Sequence, residues 1–249
     1  MTNLNDKTAV VTGGNSGIGK AMARLFVQEG AQVAITGRRQ DVLDAAVAEI
    51  GPGVFGIRGD VADLEHHSRV ACEIRRRFGA LDIYVANAGI INLSPSEKVT
   101  AAEYDQHFAV NTRGVFFGVQ TMLPLMRDGG SLILVSSLAA TKVLENHAVY
   151  AGTKAAISAF ARNWALELKE RRIRVNVLSP GPVDTAILNK LGIADADRPG
   201  FLELMSGMIP TGRLGEADEL ARAALFLASD AASFVNGIDL HVDGGMSLT

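Results

Sequence analysis

The chain has 249 residues, 48% of them hydrophobic and 20% charged, which supplies one sizeable core of the kind an ordinary α/β domain needs. A formal net charge of −3 gives no indication of a nucleic-acid or anionic-membrane partner. Cys72 is the only cysteine, so no internal disulfide forms, and a reducing, cytoplasmic setting is expected. The start, MTNLNDKTAVV, lacks the basic-then-apolar pattern of a signal peptide, no apolar run has the length of a membrane span, and the histidines at 66, 67, 107, 147 and 241 show no metal-ligand spacing. Neither a membrane anchor nor a catalytic metal is expected.

Short runs rich in Val and Ile alternate with longer amphipathic stretches. Strands are predicted at 8–12, 32–36, 54–58, 82–86, 131–136, 174–179 and 238–242, and helices near 17–29, 40–49, 63–78, 101–127, 149–170 and 217–228. Most of the runs are continuous rather than alternating, as in strands covered on both faces. Repeated βα order predicts an α/β fold, a doubly wound, seven-stranded parallel sheet with helices on both faces, in a single domain over 1–249.

The first turn, VVTGGNSGIGK, places Gly13, Gly17 and Gly19 between a strand and a helix, with Asn15, Ser16 and Ile18 among them. Glycines let the backbone approach a pyrophosphate, and the helix start offers free N–H groups, so a dinucleotide site is expected; a plain tight βα connection is the alternative. After the second strand come Gly37, Arg38 and Arg39, where an NAD site usually carries an acid. Arginines at a helix start oppose its dipole. The expected cofactor is therefore NADP(H), with Arg38 on the 2′-phosphate and NAD(H) as the alternative; a solvated charge pair is the bland reading.

Asp60, followed by Val61, ends the third strand and either meets an adenine amino group or caps the next helix, for which Asp63 is better placed. Asn87, Ala88 and Gly89 end the fourth strand at the carboxyl edge, where ligands bind in such folds. Within the helix predicted at 101–127, VNTRG is either a tolerated irregularity or a local break that turns Asn111 towards the centre. The fifth strand delivers Ser136 and Ser137 to the same edge. Tyr150 and Lys154 follow four residues apart, on one face of the next helix. A cation there would lower the phenol pKa from about 10 and fit it for proton transfer; as an isolated pair, a Tyr-x3-Lys spacing is also common by chance. Pro180, Gly181 and Pro182 are expected to form a rigid turn outside any strand, leading to Val183 and Thr185, which could meet a cofactor carboxamide. The loop 138–149 and a Met-containing segment, 186–212, read as substrate loop and lid, the latter alternatively an ordinary helical hairpin. Leu138, Leu144, Glu145, His147 and Leu188 are the expected pocket residues; Glu145 and His147 meet either a polar substrate or solvent.

Taken together, Thr12-Gly13-x3-Gly17-Ile18-Gly19, Asp60, Asn87-Ala88-Gly89, Asn111, Ser137, Tyr150-x3-Lys154, Pro180-Gly181 and Val242-Asp243-Gly244-Gly245 make the whole chain resemble the short-chain dehydrogenase/reductase family. The resemblance implies an NAD(P)-binding Rossmann fold that interconverts a carbonyl and a secondary alcohol. It implies Tyr150 as acid/base, Lys154 as the residue that lowers its pKa and holds the nicotinamide ribose, Ser137 as donor to the substrate oxygen, and Asn111 as holder of a relay water. Ala86 stands where the family often has a first asparagine, which removes one strand-end hydrogen bond. Family members are often tetramers built on two long helices, so a homo-oligomer is implied; Phe160 and Trp164 on 149–170 belong either to that interface or to the core. The alternatives to an NADP(H)-dependent ketone reductase are a 3-oxoacyl thioester reductase, an NAD-dependent alcohol or sugar dehydrogenase and, from another class, a nucleotide-sensing protein without turnover.

Overall fold

A computed structural model describes residues 3–185 and 198–249. Seven parallel strands form one sheet in the order β3-β2-β1-β4-β5-β6-β7: β1 (Thr8–Val11), β2 (Gln32–Gly37), β3 (Val54–Arg58), β4 (Leu81–Ala86), β5 (Met126–Val135), β6 (Arg174–Pro180) and β7 (Asp239–Val242). The chain order reverses direction between β1 and β4, which pair with Ala9 opposite Ile83. A crevice opens at the carboxyl end of the strands at such a switch point. One apolar layer, built on Val11, Phe26, Val33, Ile35, Leu43 and Leu227, joins α1 (Gly17–Gln28), α2 (Gln40–Ile50) and α8 (Ala217–Ala228) to one face of the sheet. The other layer, with Val10, Ile74, Tyr84, Leu132 and Trp164, joins α3 (Leu64–Phe78), α5 (Gly114–Met122) and α6 (Ala148–Glu167) to the opposite face. Covering both faces is what makes the strand sequences continuous in hydrophobicity.

Two expectations change and one open alternative is decided. The helix predicted over 101–127 is α4 (Ala101–Phe108), a π-helical turn at Ala109–Arg113, α5, and a 3₁₀ turn at Leu123–Leu125, while Met126 already belongs to β5. Asn111 lies within the π turn, so VNTRG is a local widening rather than a tolerated helix interior. Pro180 is the last residue of β6, paired with Val242, and not outside the strand. A proline closes a strand without loss when the next donor, here Gly181 N–H to Val242 O at 3.0 Å, takes up the ladder. Finally, Trp164 is buried, its ring centre 5.5 Å from those of Phe116 and Phe160, so it is core. The second half of the predicted Met-containing segment contains α7 (Arg198–Gly207); 186–197 lie outside the described residues.

Helix starts follow side-chain chemistry. Asp63 caps α3 by accepting from Glu65 N–H at 3.0 Å, as its position predicts. Thr100 and Glu103 form a reciprocal capping box at α4. The first turn of α3 also holds His66, 1% exposed, whose two ring nitrogens have no hydrogen-bond partner among the described residues. Burial pushes its pKa down to about 4, with the neighbouring His67 charge acting the same way. The unfolded chain therefore takes up a proton near pH 6.5 that the folded chain refuses until about pH 4. Stability is full above 6.5 and falls as pH drops towards 4, costing about 1–2 kcal/mol between pH 7 and 5. Urea unfolding at those two pH values should show that loss in the parent and a smaller one in His66→Leu. An equal loss in both would remove His66 as its source.

Candidate active site

A cleft of about 980 Å³ runs along the carboxyl edge of the sheet. At one end it is lined by Gly13, Asn15, Ser16, Gly17, Ile18 and Gly19. Gly13 (φ +65°) and Gly17 (φ +53°) adopt backbone that other residues rarely take. Ser16, the N-cap of α1, makes no side-chain cap, and no acid stands in the first helical turn, so the helix start keeps its positive end towards the cleft. The turn is clamped from beneath. The Thr12 hydroxyl accepts from Asn87 N–H (2.9 Å) and Ala88 N–H (3.0 Å), and Asn87 Nδ2 donates to Thr12 O (2.9 Å). Asn87 thus braces the ends of β1 and β4, as its strand-end position suggests.

Gly37, Arg38, Arg39, Asp60 and Val61 line the same end. Asp60 does two things: its Oδ1 accepts from Ala62 N–H at 3.0 Å, and its Oδ2 lies 3.7 Å from Arg38 Nη1. A side chain at Gly37 would start 2.6 Å from Asn15 Cγ. Asn15 therefore fills the place from which an acid at position 37 would reach a ribose hydroxyl. The backbone cradle and the uncapped helix start fit the pyrophosphate of a dinucleotide, and the two arginines stand at the same end of the cleft.

At the middle of the cleft β5 and α6 bring Ser137, Tyr150 and Lys154 together. Ser136, buried, ties the two elements by donating to Lys154 O at 2.9 Å. Ser137 Oγ accepts from Ala139 N–H at 3.2 Å, which fixes its side chain at the head of a 3₁₀ turn. Lys154 is 4% exposed; its Nζ donates to Val135 O at 2.9 Å and stands 5.8 Å from the Tyr150 ring centre. Burial lowers the Lys154 pKa to about 8 and raises that of Tyr150, against which the Ser137 hydroxyl acts in the lowering direction. The expected net lowering of the phenol pKa by Lys154 is not what the structure gives: removal from water outweighs the other effects on the phenol.

Asn111, 0% exposed, lies behind this group. Its amide nitrogen donates to Ile90 O (2.9 Å) and Thr153 Oγ1 (3.1 Å), and its Oδ1 accepts from Ile90 N–H (2.8 Å). Both amide protons are spent on the protein, so the side chain is a brace joining the end of β4 to α6. A side-chain carbon at Gly89 would lie 3.4 Å from both Asn111 Oδ1 and Lys154 Nζ, in contact with both groups, so position 89 sits directly beside them.

Pro180, Gly181, Val183 and Thr185 line the cleft beside the glycine turn, and Leu138, Leu144, Glu145 and His147 line its far end. Leu188 lies outside the described residues. Three of the contributors that the sequence reading lacks differ in how far sequence could have shown them. Thr153 donates to Tyr150 O at 2.7 Å and receives Asn111; its place three residues after Tyr150 was a usable signal. His107, one helical turn before Asn111, receives Asn92 N–H at 3.0 Å and donates to Glu103 O at 2.8 Å, which pins the loop after Ile90 a second time. Met246 reaches the cleft through the turns at Gly244 and Gly245, just after the Val242-Asp243-Gly244-Gly245 motif. Among the described residues no group of three or more His, Cys, Asp or Glu is placed to hold a metal ion, and no helix is long and apolar enough to cross a membrane.

A family model described as enoyl-(acyl carrier protein) reductase matches residues 13–247. The oxidoreductase asL5 of Sarocladium schorii is 40% identical over 246 residues, covering 98% of this chain and 97% of its own length. An NAD-dependent glycerol dehydrogenase of Listeria innocua is 38% identical, with 99% of this chain and 96% of its own covered. A solved short-chain dehydrogenase/reductase from Brucella melitensis, titled glucose/ribitol dehydrogenase, superposes with a TM-score of 0.92 at 31% identity and covers 98% of each chain. The parallel seven-stranded sheet, the glycine turn at its switch point and these full-length likenesses agree, and the chain belongs to the short-chain dehydrogenase/reductase family of oxidoreductases.

Proposed function

We propose that this chain is an NADP(H)-dependent carbonyl reductase, in reverse a secondary-alcohol dehydrogenase, with residues 1–249 acting as one catalytic domain. The observation that carries the reading is the meeting of Ser137, Tyr150 and Lys154 in one cleft with Arg38 and the glycine turn. When bound, the reduced nicotinamide supplies a hydride to the carbonyl carbon. Ser137 donates a hydrogen bond to the carbonyl oxygen and holds it beside the phenol. Tyr150 gives its proton to that oxygen as the alcohol forms. Lys154, fixed by Val135 O, directs its remaining donors to the ribose hydroxyls. Asn111 acts as a positioning residue through Ile90 and Thr153.

NADP(H) is supported by Arg38 and Arg39 and by Asn15, which stands where a position-37 acid would need to be. The second reading, an NAD-dependent alcohol or sugar dehydrogenase, has the Listeria relative's name in its favour. A 3-oxoacyl thioester on an acidic carrier is less well supported: among the described residues lining the cleft, the Lys and Arg side chains are Arg38, Arg39 and Lys154, all at the cofactor. The half-buried Phe116, Phe117 and Phe160 of α5 and α6 support a homo-oligomer, and the single Cys72 suits the cytoplasm. The test is oxidation of NADPH and of NADH with a ketone panel. Turnover faster with NADPH is expected; faster turnover with NADH overturns the cofactor assignment, and none with either overturns the activity.

A further inference from the structure

The substrate end of the cleft is apolar on most sides, with Ile91, Leu93, Leu144, Met205, Met208 and Met246 among its lining. Two polar side chains interrupt it, Glu145 and His147, both on the loop just before Tyr150. His147 is oriented by its own loop. Asn146 has φ +63°, a left-handed conformation, and His147 is the N-cap of α6, three residues before Tyr150, its ring centre 6.2 Å from the phenol ring in an edge-on arrangement. Its Nδ1 lies 2.6 Å from Glu145 O. A carbonyl oxygen only accepts, so Nδ1 carries the proton, and in the neutral ring Nε2 is left as an acceptor. Nε2 has no hydrogen-bond partner among the described residues. The Glu145 carboxylate is likewise an acceptor when ionised. The polar part of this wall therefore offers acceptors beside the reacting group, and among the described residues lining the cleft no Lys or Arg stands there to balance an anion.

Resting on the carbonyl-reductase reading above, we infer that the substrate is a neutral, largely apolar ketone bearing a hydroxyl group, and that His147 Nε2 accepts the hydrogen bond of that hydroxyl and sets which hydroxy-ketone is preferred. With a ketone that lacks the hydroxyl, water meets Nε2 of the half-buried His147 and little is lost; with the hydroxyl present, the bond to substrate replaces the one to water and adds the modest net worth of one oriented hydrogen bond. His147 thus acts on substrate choice, while Tyr150 and Ser137 act on the carbonyl.

The experiment compares kcat/KM for cyclohexanone with those for 2-, 3- and 4-hydroxycyclohexanone under saturating cofactor. In the parent, at least one hydroxy isomer is expected to exceed cyclohexanone by about tenfold, the equivalent of one net hydrogen bond. In His147→Leu that ratio should collapse towards one. In His147→Gln, which keeps an acceptor oxygen, part of it should survive. Cofactor fluorescence titration of each variant establishes that it is folded. A ratio near one for every isomer in the parent overturns the inference, as does an undiminished ratio in folded His147→Leu. Those outcomes differ from the failure of the underlying reading, in which cyclohexanone and every hydroxy isomer alike are left unreduced.

Discussion

Tyr150→Phe is expected to lower kcat for ketone reduction by about a thousandfold, the usual scale for removing a positioned general acid. The substitution keeps the ring, and with it the contact to His147 and the packing against Lys154. It deletes only the hydroxyl. Ser137 keeps its bond from Ala139 N–H, and Thr153 its bond to Tyr150 O, so the frame of the site survives. Cofactor affinity, read by fluorescence, should therefore change by less than about threefold, since the phenol proton is used only as the reaction proceeds. Turnover within tenfold of the parent would falsify the assignment of Tyr150 as the acid. The parent's pH dependence carries a second, independent sign. Burial raises the phenol pKa above its ordinary value, so the proton is in place for reduction across the neutral range. Oxidation of the alcohol needs the phenolate, and its rate should climb about tenfold per pH unit until the phenol titrates. A rate of oxidation flat from pH 7 to 9 would place the phenol pKa below neutrality, against the dominance of burial.

That direction marks where sequence stops informing. The i, i+4 spacing puts Lys154 on the face of Tyr150, and the structure keeps it there. The sign of the pKa shift depends on how dry the phenol is, a property of everything packed around it. Asn111 shows the same division. Its place in VNTRG, a poor helix interior, marks a break, which is a π turn. The partners it takes there, Ile90 and Thr153, lie 21 and 42 residues away and follow from tertiary packing. The sheet was legible almost strand by strand because burial on both faces writes an unbroken apolar run into each. The merged helix at 101–127 was not resolved into its pieces, since a π turn preserves amphipathic character through the break. Met246 was missed for another reason: the Val242-Asp243-Gly244-Gly245 ending marks a turn, and which side chain that turn carries to the cleft follows from tertiary packing.

Arg38→Asp is expected to reduce kcat/KM with NADPH by about a hundredfold and to leave NADH little affected. A charge-assisted bond from arginine to a phosphate contributes about 1.5–3 kcal/mol, and a carboxylate in its place adds repulsion. The change is not expected to unfold the chain. Arg38 is more than half exposed, and its partner Asp60 is 3.7 Å away, a surface pair of small worth. The parent's preference for NADPH should therefore be lost through KM for NADPH, with melting temperature nearly constant. Converting the site to NADH takes more than removing the arginine. Gly37→Asp alone drives its first side-chain carbon against Asn15 Cγ and Nδ2, at 2.6 and 2.7 Å, and displaces a side chain of the glycine turn itself. It should weaken both cofactors. Joined to Asn15→Ala, the carboxylate gains the space it needs to meet a ribose hydroxyl, and kcat/KM with NADH should rise above that of either single variant. The coupling between positions 15 and 37 is the sharper measurement: independent effects of the two changes would mean that Asn15 does not hold that space, and that the choice of cofactor is made by the arginines alone.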